Sequence, residues 1–167
     1  MTERDANEIA RLSNTVARLL LSSELRLAVA ESCTGGWVAM ALTAIPGSSE
    51  WFDRGYVTYS NIAKQQVLGV SETTLQRFGA VSEQTVAEMI AGTLAASGTD
   101  LALAISGIAG PGGGSAEKPV GTVWFAWQRK QRQPVTARRL FEGDREAVRR
   151  QAVVHGLQGL IELVENG

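Results

Sequence analysis

The chain has one cysteine, Cys33, and one histidine, His155, in 167 residues. A single cysteine cannot close an intrachain disulfide, and a free thiol fits a reducing compartment. So few soft ligands exclude any metal site that needs several Cys or His from one chain. A carboxylate-bound magnesium site stays open. Lysine is also scarce: Lys64, Lys118 and Lys130 stand against thirteen arginines. The two signs of charge nearly cancel, to a formal net charge of -1, which gives no general reason to bind nucleic acid or an anionic membrane. No apolar run approaches the ~20 residues that span a bilayer. The opening stretch, "MTERDANEIARLSNTVARLL", has no basic segment leading into an unbroken apolar run, so it does not read as a signal peptide. A cytoplasmic protein is expected.

Apolar residues make up 44% of the chain, enough for one domain over residues 1–167 with a sizeable core. Ile9, Leu12, Val16, Leu19 and Leu20 recur at helical spacing and predict a helix over about Ala6–Ser22. "RLAVAE" (Arg26–Glu31) and "LALAIS" (Leu101–Ser106) read as buried strands. "RGYVTY" (Arg54–Tyr59), "TVWFAWQ" (Thr122–Gln128) and "VTARRLFEG" (Val135–Gly143) read as further strands, the last two as a pair. A helix is predicted over Gly35–Thr43 and short ones over Ile62–Gly69 and Ser71–Phe78. Ser82 and Asp144 cap longer ones. Strands alternating with helices, then a late hairpin, predict an α/β fold: a three-layer α/β/α sandwich around a mixed, mostly parallel sheet of about five strands.

Four stretches carry the candidate chemistry. "AESCTGGW" places Ser32, Cys33 and Thr34 between a buried strand and a helix, where free N–H groups can bind an anion or a developing oxyanion. It is not the G-x-S-x-G elbow, and the bland alternative is a helix cap by Ser32 or Thr34. Cys33 is the better intrinsic nucleophile but needs activation, and a free cysteine more often packs in a core. Ser32 needs a base. His155, among apolar helical positions, reads as structural. Lys64 in "TYSNIAK" can serve only if neutral, which burial and nearby cations would favour; otherwise it is a solvated helix lysine. In "SGIAGPGGGSAEKPVG", four of the six residues Gly110–Ser115 are glycine. Such a loop lets backbone N–H groups approach a phosphate, or is only a flexible crossover, and it is no Walker loop. Arg145 and Arg149 in "GDREAVRR" share a helix face and suit phosphate, or form a solvated basic face.

Taken together, "AESCTGGWVA", "GSSEWFDRGYVTYSNIAK", "GAVSEQTV", "ISGIAGPGGGSAEKPVGTVWFA" and "GDREAVRRQA" resemble the CinA C-terminal-domain family, over about Leu12–Val164. The resemblance implies hydrolysis of the carboxamide of nicotinamide mononucleotide (NMN) in pyridine nucleotide salvage, giving nicotinic acid mononucleotide and ammonia. It implies no metal or other cofactor, a homodimer, a serine nucleophile at Ser32 and a lysine at Lys64, with Tyr59 nearby. On that reading Ser32 attacks and Lys64 takes its proton. Tyr59 relays a proton or orients Lys64. The oxyanion lies against the N–H groups of Thr34, Gly35 and Gly36. Gly107, Ala109, Gly110 and Gly112 line the nucleotide pocket, and Arg145, with Arg149 second, holds the phosphate. A non-catalytic nucleotide-binding module and a plain interaction domain are the competing readings. Neither nucleic acid nor membrane is an expected partner.

Overall fold

The structure, a computed structural model, describes residues 3–166. In chain order the elements are α1 (Glu3–Ser22), β1 (Leu27–Glu31), α2 (Trp37–Thr43), a 3-10 turn (Ser48–Glu50), β2 (Phe52–Val57), α3 (Asn61–Leu68), α4 (Glu72–Phe78), α5 (Glu83–Ser97), β3 (Leu101–Gly107), β4 (Thr122–Arg129), β5 (Val135–Leu140) and α6 (Arg145–Glu165). They form one sheet in the order β2-β1-β3-β4-β5. β2, β1 and β3 are parallel, β4 is antiparallel to β3, and β5 is antiparallel to β4, so four of the five strands run the same way. Helices cover both faces, which makes the expected three layers. Among the described residues, no helix is long and apolar enough to cross a membrane.

The alternation inside β1 and β3 decides which helices pack where. Leu27, Val29, Leu101, Leu103 and Ile105 point to the α1, α2 and α6 side, where they join Leu12, Leu20, Leu42, Val153 and Leu157. Each large side chain fully buried there stabilises the fold by about 1.5–3 kcal/mol. The intervening positions are small: Ala30, Ala102 and Ala104 face α5, against Val86, Met89 and Ile90. Successive strand residues alternate faces, so "LALAIS" is large on one side and flat on the other.

The caps follow local chemistry. The side chains of Ser60, Ser71, Ser82 and Asp144 accept from the N–H groups of Ala63, Thr74, Thr85 and Ala147. Several predicted boundaries move: α1 starts at Glu3 rather than Ala6, and β5 ends at Leu140 rather than Gly143. α2 starts at Trp37 rather than Gly35, because Gly35 (φ 62°) and Gly36 (φ 94°) hold left-handed backbone that turns the chain before a helix can begin. β2 runs Phe52–Val57 rather than Arg54–Tyr59. Its ladder starts early, with Trp51 O accepting from Leu27 N–H at 2.8 Å, and ends when Thr58 N–H donates to Glu31 O at 2.9 Å.

Candidate active site

The connections after β1 and β3 leave in opposite directions along the sheet. β1 leads by α2 to β2, while β3 leads by the glycine-rich loop to β4. Ligand crevices in α/β sheets open at the carboxyl ends of strands where such a reversal occurs. Here a cleft of about 270 Å³ lies there. Ser32, Cys33, Lys64 and Tyr59 line it on one side, Gly107, Ala109, Gly110 and Gly112 on the other, with Arg145.

Ser32 follows β1 directly and is fixed by its own N–H, which donates to Ile105 O at 3.0 Å. Lys64 lies one turn into α3, whose start is set by the Ser60 cap. The lysine is 1% exposed, so the solvated alternative fails. Its Nζ lies 2.9 Å from Ser32 Oγ, 2.8 Å from Thr58 O and 3.5 Å from Tyr59 O. Burial pushes the Lys64 ammonium down from 10.5 to about 8, with the Cys33 thiol acting weakly the other way. A neutral amine has two N–H groups and one lone pair. Two carbonyls can take the N–H groups, which leaves the lone pair for the Ser32 hydroxyl. Cys33 is 4% exposed within the core, and burial pushes its thiol up to about 12. A thiol held that far from ionisation is a poor nucleophile at neutral pH.

Glu31 is the functional residue that sequence reasoning passed over. It ends β1 at 1% exposure, and its carboxylate accepts from the N–H groups of Gly36 (3.0 Å), Val38 (3.1 Å) and Ala39 (2.9 Å). It therefore does the capping that Ser32 and Thr34 were candidates for, and favours the α2 N-terminus electrostatically. The one signal was an acid at the end of an otherwise apolar strand. Glu31→Ala strands three donors and is expected to cost about 3 kcal/mol of stability. A urea-unfolding midpoint equal to that of the wild type would contradict this.

Two of the three expected oxyanion donors already have partners. Gly35 N–H donates to Ser32 O at 3.0 Å, and Gly36 N–H is held by Glu31. Both are spent inside the turn. Among the described residues, the N–H groups of Cys33 and Thr34 donate to no acceptor of another residue. Tyr59 is 58% exposed, and its hydroxyl accepts from Arg145 Nη2 at 2.7 Å rather than meeting Lys64. Arg145 Nη1 also donates to Gly110 O at 2.7 Å, which ties α6 to the glycine-rich loop across the cleft. Arg149 points elsewhere, to the carbonyls of Cys33 (3.0 Å) and Thr34 (2.9 Å).

A second cavity, of about 360 Å³, is lined by Trp127, Val135, His155, Glu162 and Leu163, with no serine, threonine, cysteine or lysine in its lining. His155 packs edge-on against Phe125 and Trp127, and burial and Arg139 push it down to about 4, so it is a neutral packing residue. Among the described residues, no cluster of three or more His, Cys, Asp or Glu could hold a metal.

The nicotinamide-nucleotide amidohydrolase PncC of Enterobacter agglomerans is 55% identical over 167 residues, covering 99% of this chain and all (100%) of that protein. The PncC protein of Escherichia coli K12 is 55% identical, covering 92% of this chain and 93% of its own. A CinA superfamily protein of Klebsiella pneumoniae superposes with a TM-score of 0.92 at 46% identity, over 95% of this chain and 99% of that one. Some relatives are longer: in a CinA-like protein of Akkermansia muciniphila the match, at 47% identity over 92% of this chain, takes up 37% of the length. The model of the CinA C-terminal domain matches residues 9–164, and the chain belongs to that family.

Proposed function

We propose that the protein hydrolyses the carboxamide of NMN to nicotinic acid mononucleotide and ammonia, in the cytoplasm, as a step of pyridine nucleotide salvage. The observation that carries the reading is the 2.9 Å approach of Ser32 Oγ to a buried lysine, in a chain 55% identical to proteins named nicotinamide-nucleotide amidohydrolase.

Neutral Lys64 takes the Ser32 proton as Oγ bonds to the amide carbon. The resulting oxyanion is stabilised by the N–H of Cys33, which lines the cleft beside Ser32. Lys64 then returns the proton to the leaving nitrogen, and ammonia departs from a nicotinoyl-serine ester. Water attacks that ester, its proton passes by way of Lys64 to Ser32 Oγ, and the acid is released. No step calls for a metal or another cofactor. Arg145 releases Tyr59 and Gly110 to meet the phosphate, while the backbone of Gly107–Gly112 covers the nucleotide. The homodimer implied by the resemblance suits β2, a free sheet edge, with exposed Met40, Val57 and Ile62 on α2, β2 and α3.

The test is ammonia release from NMN by the purified protein, with nicotinic acid mononucleotide identified by mass. Stoichiometric appearance of both products is expected. Tight NMN binding without ammonia would replace the amidase by the nucleotide-binding module.

A further inference from the structure

An oxyanion donor works only if its peptide plane is held still before the reaction begins. In the turn after β1, three N–H groups are committed: Ser32 to Ile105 O, Gly35 to Ser32 O, and Gly36 to the Glu31 carboxylate. The two left over belong to Cys33 and Thr34, and the carbonyls of those same residues are gripped from the far side of the turn. Arg149 Nε donates to Cys33 O at 3.0 Å and Nη2 to Thr34 O at 2.9 Å. The guanidinium lies 5.4 Å from the centre of the Trp37 ring, at the first turn of α2, which limits its own movement. In a trans peptide the C=O and N–H point in opposite directions. Bonds to both carbonyls therefore fix two successive peptide planes, and with them the turn that begins at Ser32.

We propose that Arg149 is a positioning residue for amide hydrolysis: by holding the carbonyls of Cys33 and Thr34 it keeps still the turn that presents Ser32 and the Cys33 N–H, the two parts of the turn that line the cleft, to the reacting amide. The inference rests on Ser32 being the nucleophile. It assigns Arg149 a role different from the phosphate contact its sequence suggests, since its Nε and Nη2 donors are taken by carbonyls of the turn. The residue type fits the task. Two carbonyls offset along the backbone match a planar fork with fixed donor directions, which an ammonium cannot imitate. α6 supplies the rigid base: Arg149 is one turn in, between Val148 and Ala152, both at 0% exposure in the core.

The experiment compares Arg149→Ala, Arg149→Gln and Arg149→Lys with the wild type for kcat and KM on NMN, alongside thermal unfolding. The expected kcat loss is about 10–100-fold, part of the ~10²–10³ that losing a whole oxyanion donor costs, with KM within about threefold of the wild type. Arg149→Lys recovers little of it. Added guanidinium ion restores part of the kcat of Arg149→Ala and leaves the wild type unchanged. Affinity for a pyridine boronic acid, which forms a tetrahedral adduct on serine, falls in parallel with kcat, while affinity for nicotinic acid mononucleotide holds.

A raised KM with unchanged kcat would return Arg149 to the phosphate and overturn the proposal. So would a kcat loss that guanidinium does not rescue and that tracks lost product affinity and lost folding across all three variants. Failure of the underlying reading looks different: Ser32→Ala then retains activity, or the wild type releases no ammonia.

Discussion

Replacing Lys64 with methionine is expected to lower kcat by about 10³-fold and, at pH 7, to make the fold more stable. Activity falls because Ser32 loses the amine that reaches it at 2.9 Å. Stability rises because the native chain holds a lysine whose ionisation is pushed from 10.5 to about 8 by burial. A shift of that size corresponds to about 3 kcal/mol of penalty on the charged form. Methionine escapes the penalty but leaves Thr58 O without its partner, which takes back about 1–2 kcal/mol. The net expected gain is about 1–2 kcal/mol.

The sign has a definite pH window. Below about 8 the lysine is protonated in both states, and the native state bears the whole cost. Between about 8 and 10.5 only the unfolded chain stays fully protonated, so the wild type gains stability as pH rises. Above that window the penalty is gone, and with it the advantage of methionine. Urea midpoints of both proteins at pH 7 and above pH 10 test this; equal stability at pH 7 would refute it. The same ionisation sets the rate. kcat should climb about tenfold per pH unit below about 8 and level off above it. Ser32→Ala should cost as much kcat as Lys64→Met, and the double variant no more than either, because the two residues act as one unit.

The second large effect is expected at Gly92, in the middle of α5. Helix propensity favours alanine over glycine by about 1 kcal/mol, so Gly92→Ala should stabilise an isolated helix. In the folded chain it should do the reverse. A Cβ at this position would lie 1.9 Å from Leu68 O and 2.7 Å from Leu68 C, both backbone atoms at the end of α3. Backbone cannot swing aside as a side chain does, so α3 must back away from α5. The expected cost is about 3 kcal/mol. α3 carries Lys64, and a displacement near an ångström at a reacting group costs about 10²-fold in rate. Thermal unfolding and kcat should therefore fall together. An unchanged kcat in a destabilised protein would mean that α3 yields without moving Lys64.

Much of the architecture was readable because it rests on local rules. "LALAIS" is a strand by composition, and serine or aspartate before an apolar period marks a helix start, as Ser60, Ser82 and Asp144 do. The approach of Ser32 and Lys64 was expected through family resemblance, since nothing local joins residues 32 positions apart. What stayed hidden depends on the chain folding back on itself. Glu31 looked like the polar end of a strand, and its three N–H partners exist only once Gly35 and Gly36 have turned α2 over it. Arg149 reaches carbonyls 115 and 116 residues away, while its spacing from Arg145 suggested a shared ligand. Gly92 carries no signal at all in a helix otherwise rich in good helix formers.

The two walls of the cleft are built on different principles. Ser32 follows directly from a strand hydrogen-bonded on both sides, to β2 and β3, and Lys64 sits on a capped helix that leaves the end of β2. The facing wall starts at Gly107, the last residue of β3, but from Ala109 through Gly113 it belongs to no strand ladder. On the proposed mechanism, mutation of the loop should reshape what enters the cleft without disturbing the Ser32–Lys64 pair. A laboratory search for activity on other aromatic carboxamides should randomise the loop and spare the strands, because the proposed reacting pair and the loop that faces it occupy separate parts of this chain.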